Sequence, residues 1–334
     1  MDGLSVIQID PGKARLAAAW RALLTRAGIR EDPHLEHTVA LADEEGRLYA
    51  TGSCFGATLR CLAVDPAFQG AGLLAPVVTA LTEYQFARGN THLFLYTKPE
   101  AAELFTSLGF HEIARVEKST VFMENRRDGF AGYLASLARG TGRQAAVVMN
   151  ANPFTRGHRH LIEQARAACD TLHLFLVSED ASEFPFAVRK KLVCAGVADL
   201  SGILLHETSD YLISRTTFPS YFLKEAGAAA AAQAALDARI FLRIASVLSI
   251  TARFVGEEPF SPVTSLYNDA LALALPAAGV ALYTVPRLAV GGQPVSASRV
   301  RALLRAGELE RVRPLVPDTT WRCIREAEKD KIER

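Results

Sequence analysis

A threonine, a glycine and two histidines follow closely on an apolar run in "MNANPFTRGHRH", residues 149–160. The run before them, "AAVVM" (145–149), has the length and β-rich content of a buried parallel strand. After it, Leu161, Ile162, Ala165 and Ala168 recur at helical spacing, so a helix is expected over about 157–168. "TLHLFLV" (171–177) reads as the next strand and completes a βαβ unit. In such a unit the first strand ends beside a helix N-terminus, whose free N–H groups and partial positive charge suit a phosphate. Gly157 would let a ligand approach the backbone where a Cβ would intrude. His158, in the first turn, can direct Nε2 at a phosphate oxygen that gains charge in a transition state, and Thr155 offers a hydroxyl on the same side.

A second stretch, "VSASRVRALLRAGELERVRPLVP" (295–317), has related chemistry. Ser296 is suited to be an N-cap, Ser298 and Arg299 fall in the first turn, and Arg301 follows on the same helix. A free helix N-terminus with two hydroxyls and arginines fits the far end of a triphosphate.

Earlier in the chain, "RCLAVDPAFQGAGLLAPVVTALTEYQFARG" reads as a strand (59–64), a loop and a helix from about residue 73. Gly70 and Gly72 allow successive amides to turn toward one point beside that helix start, a concavity that suits a pyrophosphate. "THLFLYTK" (91–98) is a strand, and "PEAAELFTSLGF" (99–110) a helix closed by Gly109 as an αL cap. Val64, Gln69, Gly70, Ala71 and Gly72 are the candidate ligand contacts here, and Glu103 and Tyr96 are candidate bases by residue type alone.

These segments need two domains, and 334 residues suffice for them. Hydrophobic residues make up 49% and charged residues 22%, a composition for packed cores. A net charge of +1 provides no field to attract nucleic acid or a membrane surface. Five scattered cysteines, without CxxC or a His/Cys cluster, indicate a reducing compartment and speak against a structural zinc. The N-terminus lacks a signal-peptide layout. The alanine-rich tract at 225–241 contains Glu225, Gln233, Asp237 and Arg239, and reads as a helix that does not span a membrane. A soluble cytoplasmic protein is expected. "NRRDGFAGYLASLARGTGR" (125–143) has a charged start, a short amphipathic helix and a Gly-rich end. The expected organisation is therefore a ligand-binding domain over 1–125, a connection over 126–143 and a catalytic domain over 144–334.

The front arrangement, "VDPAFQGAG" with "AAELFTSLGF", resembles the GNAT acetyltransferase family, with Ala67 where that family usually has Gln or Arg. Thr155-Arg156-Gly157-His158 resembles the T/H-x-G-H element of the nucleotidylyltransferase superfamily, and His160 lies one position outside the pattern. The 295–317 segment resembles that superfamily's C-terminal Ser/Arg motif, with Ala297 at a position often hydroxylic. The fold class implied is α/β: a GNAT-like α+β domain followed by a Rossmann-like parallel-sheet, HUP-type domain. "NPFTRGHRHLIEQA", "FPFAVRKKLV", "TTFPSYFLK", "VGEEPFSPVTSLYNDAL" and the 295–317 segment together resemble the citrate lyase ligase family. In that family Asn is common at the position of Asn152.

That resemblance implies ATP with Mg²⁺, and acetate passing through acetyl-adenylate to a thiol. The thiol belongs to the CoA-derived prosthetic group on the acyl carrier subunit of citrate lyase. It implies catalytic roles for His158, Thr155 and Arg301, and ATP contacts from Asn150, Asn152, Pro153, Phe154, Gly157, Ser296, Ser298, Arg299 and Arg189. Lys190 and Lys191 suit a solvated face as well as a pyrophosphate. Glu257, Glu258 and Asn268 are candidate neighbours of adenosine or acetate. Two other readings use the same motifs: an adenylyltransferase acting on a phosphorylated cofactor precursor, and a GNAT acetyltransferase with a nucleotide-sensing rear domain.

Overall fold

The computed structural model describes residues 3–179, 182–212, 218, 221, 226–257 and 262–332. Two compact units emerge, Met1–Gly132 with Thr217–Leu236, and Tyr133–Thr216 with Asp237–Arg334. The division at 132/133 lies within the 126–143 segment, and 217–236 is grouped with the front unit.

The front unit contains β1 (Ser5–Gln8), α1 (Ala14–Arg26), β2 (His37–Ala42), β3 (Leu48–Phe55), β4 (Thr58–Val64), α2 (Leu74–Ala87), β5 (Phe94–Thr97), α3 (Ala102–Ser107), β6 (His111–Val116) and β7 (Thr120–Glu124). Its sheet runs β1-β2-β3-β4-β5-β7-β6. Every pairing is antiparallel except β4 with β5, which are parallel and matched only at Thr58↔Phe94 and Leu59↔Leu95. Beyond those residues the two strands are no longer paired, so a wedge opens in the sheet between 60–64 and 96–97. The apolar faces of α2 and α3 bury Val77, Leu81 and Phe105 with Leu59, Leu95 and Met123. This is the GNAT-like α+β domain.

The rear unit begins within α4 (Gly129–Ser136) and alternates strand with helix. Its elements are β8 (Gln144–Met149), α5 (Arg156–Ala167), β9 (Thr171–Leu176), α6 (Phe186–Gly196), β10 (Ile203–Glu207), α7 (Ala226–Leu248, grouped with the front unit as far as Leu236), β11 (Ile250–Gly256), α8 (Pro262–Ala277) and β12 (Ala281–Val285). A short hairpin, β13 (Ala289–Val290) and β14 (Gln293–Pro294), leads to α9 (Ala297–Arg305), α10 (Leu309–Val312) and α11 (Asp318–Ile332). The five strands are parallel in the order β10-β9-β8-β11-β12. Strand order reverses between β8 and β11, so the loops at their carboxyl ends diverge and leave a crevice, the usual ligand position in such sheets. On one face Val147, Leu172, Leu174 and Leu176 pack against Ile162 and Ala165 of α5 and Leu192 and Val193 of α6. The alanine-rich helix extends past the expected end, to Leu248. Among the described residues no helix is long and apolar enough to cross a membrane.

Candidate active site

A cavity of about 620 Å³ occupies the crevice of the rear unit. Its walls come from the ends of β8 (Val148 to Asn150), β11 (Gly256, Glu257) and β12 (Val285), and from the first turns of α5 and α9. Thr155, Gly157, His158 and His160 stand on one side and Ser296, Ala297 and Ser298 on the other. The two helix beginnings meet through Gly157. A Cβ on this glycine would lie 3.1 Å from the Val295 carbonyl oxygen, directly before the Ser296 cap. Gly157 therefore lines the cavity and also serves close helix-to-chain packing, and its φ is not in the left-handed region.

Thr155 caps α5: its Oγ1 accepts from the His158 backbone N–H at 3.3 Å. In return the Thr155 backbone N–H donates to His158 Nδ1 at 3.0 Å, and the Thr155 hydroxyl lies 3.0 Å from the same nitrogen. A backbone N–H can only donate, so Nδ1 accepts and the neutral ring carries its proton on Nε2. Burial first, and the Arg287 guanidinium second, push the His158 imidazole down to about 4. At neutral pH this side chain is an uncharged donor. The hydroxyl of Thr155, 1% exposed, is occupied with the cap and with His158. It positions the histidine, and Thr155 is among the residues lining the cavity.

Several other expected contacts prove to be scaffold. Phe154 is fully buried, its ring stacked 5.9 Å from that of His158 and pressed against Gly196, so it supports the histidine from beneath. Pro153 is buried after a cis Asn152–Pro153 bond. Asn152 accepts from the Phe184 N–H through Oδ1 at 3.0 Å and from Arg301 Nη1 through its carbonyl at 2.5 Å. Arg301 also donates to Ser298 Oγ at 3.2 Å, tying α9 to the 150–155 loop, and is not among the residues lining the cavity. Arg299 lends its backbone N–H to the Ser296 cap.

Arg189 is the clearest correction. Its side chain is fully buried and donates to the carbonyls of Asn150, Val177, Glu179 and Phe184 and to Asn150 Oδ1. It fastens the loop after β8 to the loop after β9, and its burial excludes the expected contact with pyrophosphate. Lys190 pairs with Glu207 on the surface. Of the acidic-loop candidates, Glu257 lines the cavity, Asn268 donates to the Gly256 carbonyl at 3.4 Å, and Glu258 lies outside the described residues, as does most of "TTFPSYFLK".

Sequence reasoning missed Arg287. It stands two residues past β12, lines the cavity, and donates from Nε to the Glu257 carbonyl at 2.7 Å. The available signal was its place at the carboxyl end of a parallel strand, where ligands bind.

In the front unit a cavity of about 380 Å³ fills the wedge between β4 and β5. Val64, Gln69 and Gly70 line it with Tyr96, Lys98, Glu100 and Tyr221; Ala71 and Gly72 are outside the lining, and Glu103 is exposed elsewhere. Gly70 and Gly72 have φ of +82° and +71°, and an added Cβ on either would meet nothing within 4 Å. The loop is therefore left-handed at two points yet open above, and no side chain caps the following α2. Tyr96 is buried and stacks on Phe122, which suits a wall more than a base.

Comparison with known proteins agrees with these features. The description of the citrate lyase ligase C-terminal domain matches residues 144–324. A [citrate [pro-3S]-lyase] ligase of Klebsiella pneumoniae is 44% identical over 288 residues, 84% of this chain and 84% of that protein. The [citrate [pro-3S]-lyase] ligase of Escherichia coli K12 is 41% identical over 298 residues, 86% of this chain and 84% of that protein. One of Haemophilus influenzae is 37% identical over 309 residues, 90% of this chain and 92% of that protein. Relatives 37–44% identical over 84–90% of this chain, with the family description matching residues 144–324, show that the chain belongs to the citrate lyase ligase family of enzymes.

Proposed function

We propose that the protein acetylates the thiol of the phosphoribosyl-dephospho-CoA group on the acyl carrier subunit of citrate lyase, in two steps driven by ATP. In the first, an acetate oxygen attacks the α-phosphorus of ATP. The bond from that phosphorus to the α,β-bridging oxygen breaks, leaving acetyl-adenylate and pyrophosphate. In the second, the thiol sulfur attacks the acetyl carbon and AMP departs with the carboxyl oxygen, while the thiol proton passes to solvent.

One observation carries this reading: two helix beginnings, held together at Gly157 and Val295, line a single cavity at the sheet's reversal point. Their amides favour the bridging and terminal phosphate oxygens. His158, neutral with its proton on Nε2, donates to the oxygen that gains charge as pyrophosphate leaves. Thr155 fixes the ring, and Arg301 holds the Asn152 carbonyl so that the loop keeps its course. Mg²⁺, when bound, would neutralise charge on the phosphate oxygens, and Glu257, the one carboxylate-bearing residue among the described lining residues, would be the residue to help hold it. In the front unit the open glycine loop holds the dephospho-CoA-like arm.

A pyrophosphate-release assay with ATP, acetate and deacetylated carrier, omitting each in turn, tests the proposal. Pyrophosphate should require both ATP and acetate, and sustained AMP release should require the carrier thiol. Carrier acetylation by acetyl-CoA without ATP would overturn it.

A further inference from the structure

Among the described residues that line the rear cavity, Arg287 alone carries a fixed positive charge. Of the arginines that the motifs nominated, Arg189 is committed to buried carbonyls and Arg301 to the Asn152 carbonyl, and Arg299 is not among the residues lining the cavity. The Nε bond from Arg287 to the Glu257 carbonyl ties the loop after β12 to the loop after β11, at the carboxyl ends of two paired strands. The guanidinium acts on the ring of His158, so the cation and the helix start share one electrostatic space. Two helix N-termini and a guanidinium, against Glu257 as the one carboxylate-bearing residue among the described lining residues, make a pocket for a polyanion; a lone monocarboxylate would leave most of this unused.

We propose that Arg287 grips the pyrophosphate end of the nucleotide and is a further catalytic residue of the adenylation step. This rests on ATP being the ligand of the cavity, as argued above. A guanidinium matches two phosphate oxygens at once, and the interaction strengthens as the departing pyrophosphate gains charge. The same cation disfavours imidazolium before nucleotide arrives, so His158 enters catalysis as a neutral donor.

Calorimetric titration of the full-length protein with ATP and with AMP tests this, using wild type, Arg287→Gln and Arg287→Lys. ATP binding to Arg287→Gln should weaken about tenfold or more while AMP binding changes less than about threefold, and Arg287→Lys should recover part of the loss. The His158 ring proton resonance, assigned by its absence in His158→Gln, should titrate at higher pH in Arg287→Gln than in wild type. If the residue merely anchored the Glu257 carbonyl, Lys and Gln would be equally damaging and the titration unmoved, and the inference would fall. Equal weakening of ATP and AMP would also overturn it. A wild-type protein that binds neither nucleotide defeats the nucleotide reading itself, and this inference with it.

Discussion

The backbone N–H of Thr155 donates to Nδ1 of His158 at 3.0 Å, and this bond decides what the histidine can do. It fixes the tautomer and holds the ring rigidly to the start of α5, leaving Nε2–H as the working group. His158→Ala should lower kcat by about 10²–10³ with the fold intact. Thr155→Ala should lower kcat through the loosened ring and cost about 1 kcal/mol of stability as a lost N-cap, whereas Thr155→Ser should retain both. Steady-state kinetics with denaturant unfolding checks all three. An unaltered kcat in His158→Ala would remove the residue from the mechanism.

The pH profile follows from the same bond. Nδ1 faces an N–H, so a second ring proton has no acceptor there, and burial with the Arg287 charge already holds the imidazole down to about 4. His158 is therefore neutral throughout the physiological range. The limb it contributes to kcat/KM for ATP should appear only as pH falls toward 4. A limb near 6.5 that vanishes in His158→Gln would contradict this.

Much of this architecture was legible because local periodicity marks it. Alternation of a five-residue apolar run with residues spaced for a helix located β8 and α5, and Ser296 ahead of its hydroxyl- and arginine-bearing turn marked the cap of α9. The residues that were misread depend on distant partners. Nothing in "FPFAVRKK" distinguishes a fully buried Arg189 from an exposed Lys190 until the phase of α6 against the sheet is known. Arg287 is a single arginine after an apolar strand, without spacing to any other motif; only the strand order brings it beside His158. Gly157 lines the cavity, but the constraint that a carbonyl 138 positions further along the chain puts on it has no local signal.

A buried histidine pair gives the rear unit an acid-sensitive core. His173 Nε2–H donates to Gln144 Oε1 at 2.7 Å, which leaves its Nδ1 to accept from His206 Nε2–H at 2.9 Å. Burial pushes both rings from 6.5 to about 4, and for His206 the neighbouring His173 adds to it. Between those values the unfolded chain binds protons that the native chain does not, so stability is complete above about 6.5 and falls as pH drops toward 4. His158 adds to the same trend. Urea midpoints should be lower at pH 5 than at pH 7.5, and His206→Gln should narrow the gap. A wild-type midpoint independent of pH would refute the assignment.

Gly157→Ala tests whether contact between the two helix starts matters. The new Cβ would press on the Val295 carbonyl at 3.1 Å, and Val295 is itself held by an N–H bond to the Leu288 carbonyl at 2.8 Å. The strain should cost about 1–3 kcal/mol and move the Ser296 turn away from His158. KM for ATP should rise several-fold, while KM for the carrier stays near wild type. Unchanged ATP kinetics would mean that the two helix starts act independently.

The front unit can be separated from the chemistry by its glycines. Gly70 and Gly72 sit at φ of +82° and +71°, so a side chain strains the loop by about 1–2 kcal/mol at each even though the space above is open. Gly70→Val also fills the mouth of the wedge cavity that Gly70 lines. If that cavity holds the arm of the carrier's prosthetic group, KM for the carrier should rise while acetate-dependent ATP–pyrophosphate exchange, which needs no thiol, continues at the wild-type rate. A carrier KM that does not move would assign the glycine loop a purely structural role. Loss of the exchange reaction would mean that the front unit takes part in adenylation.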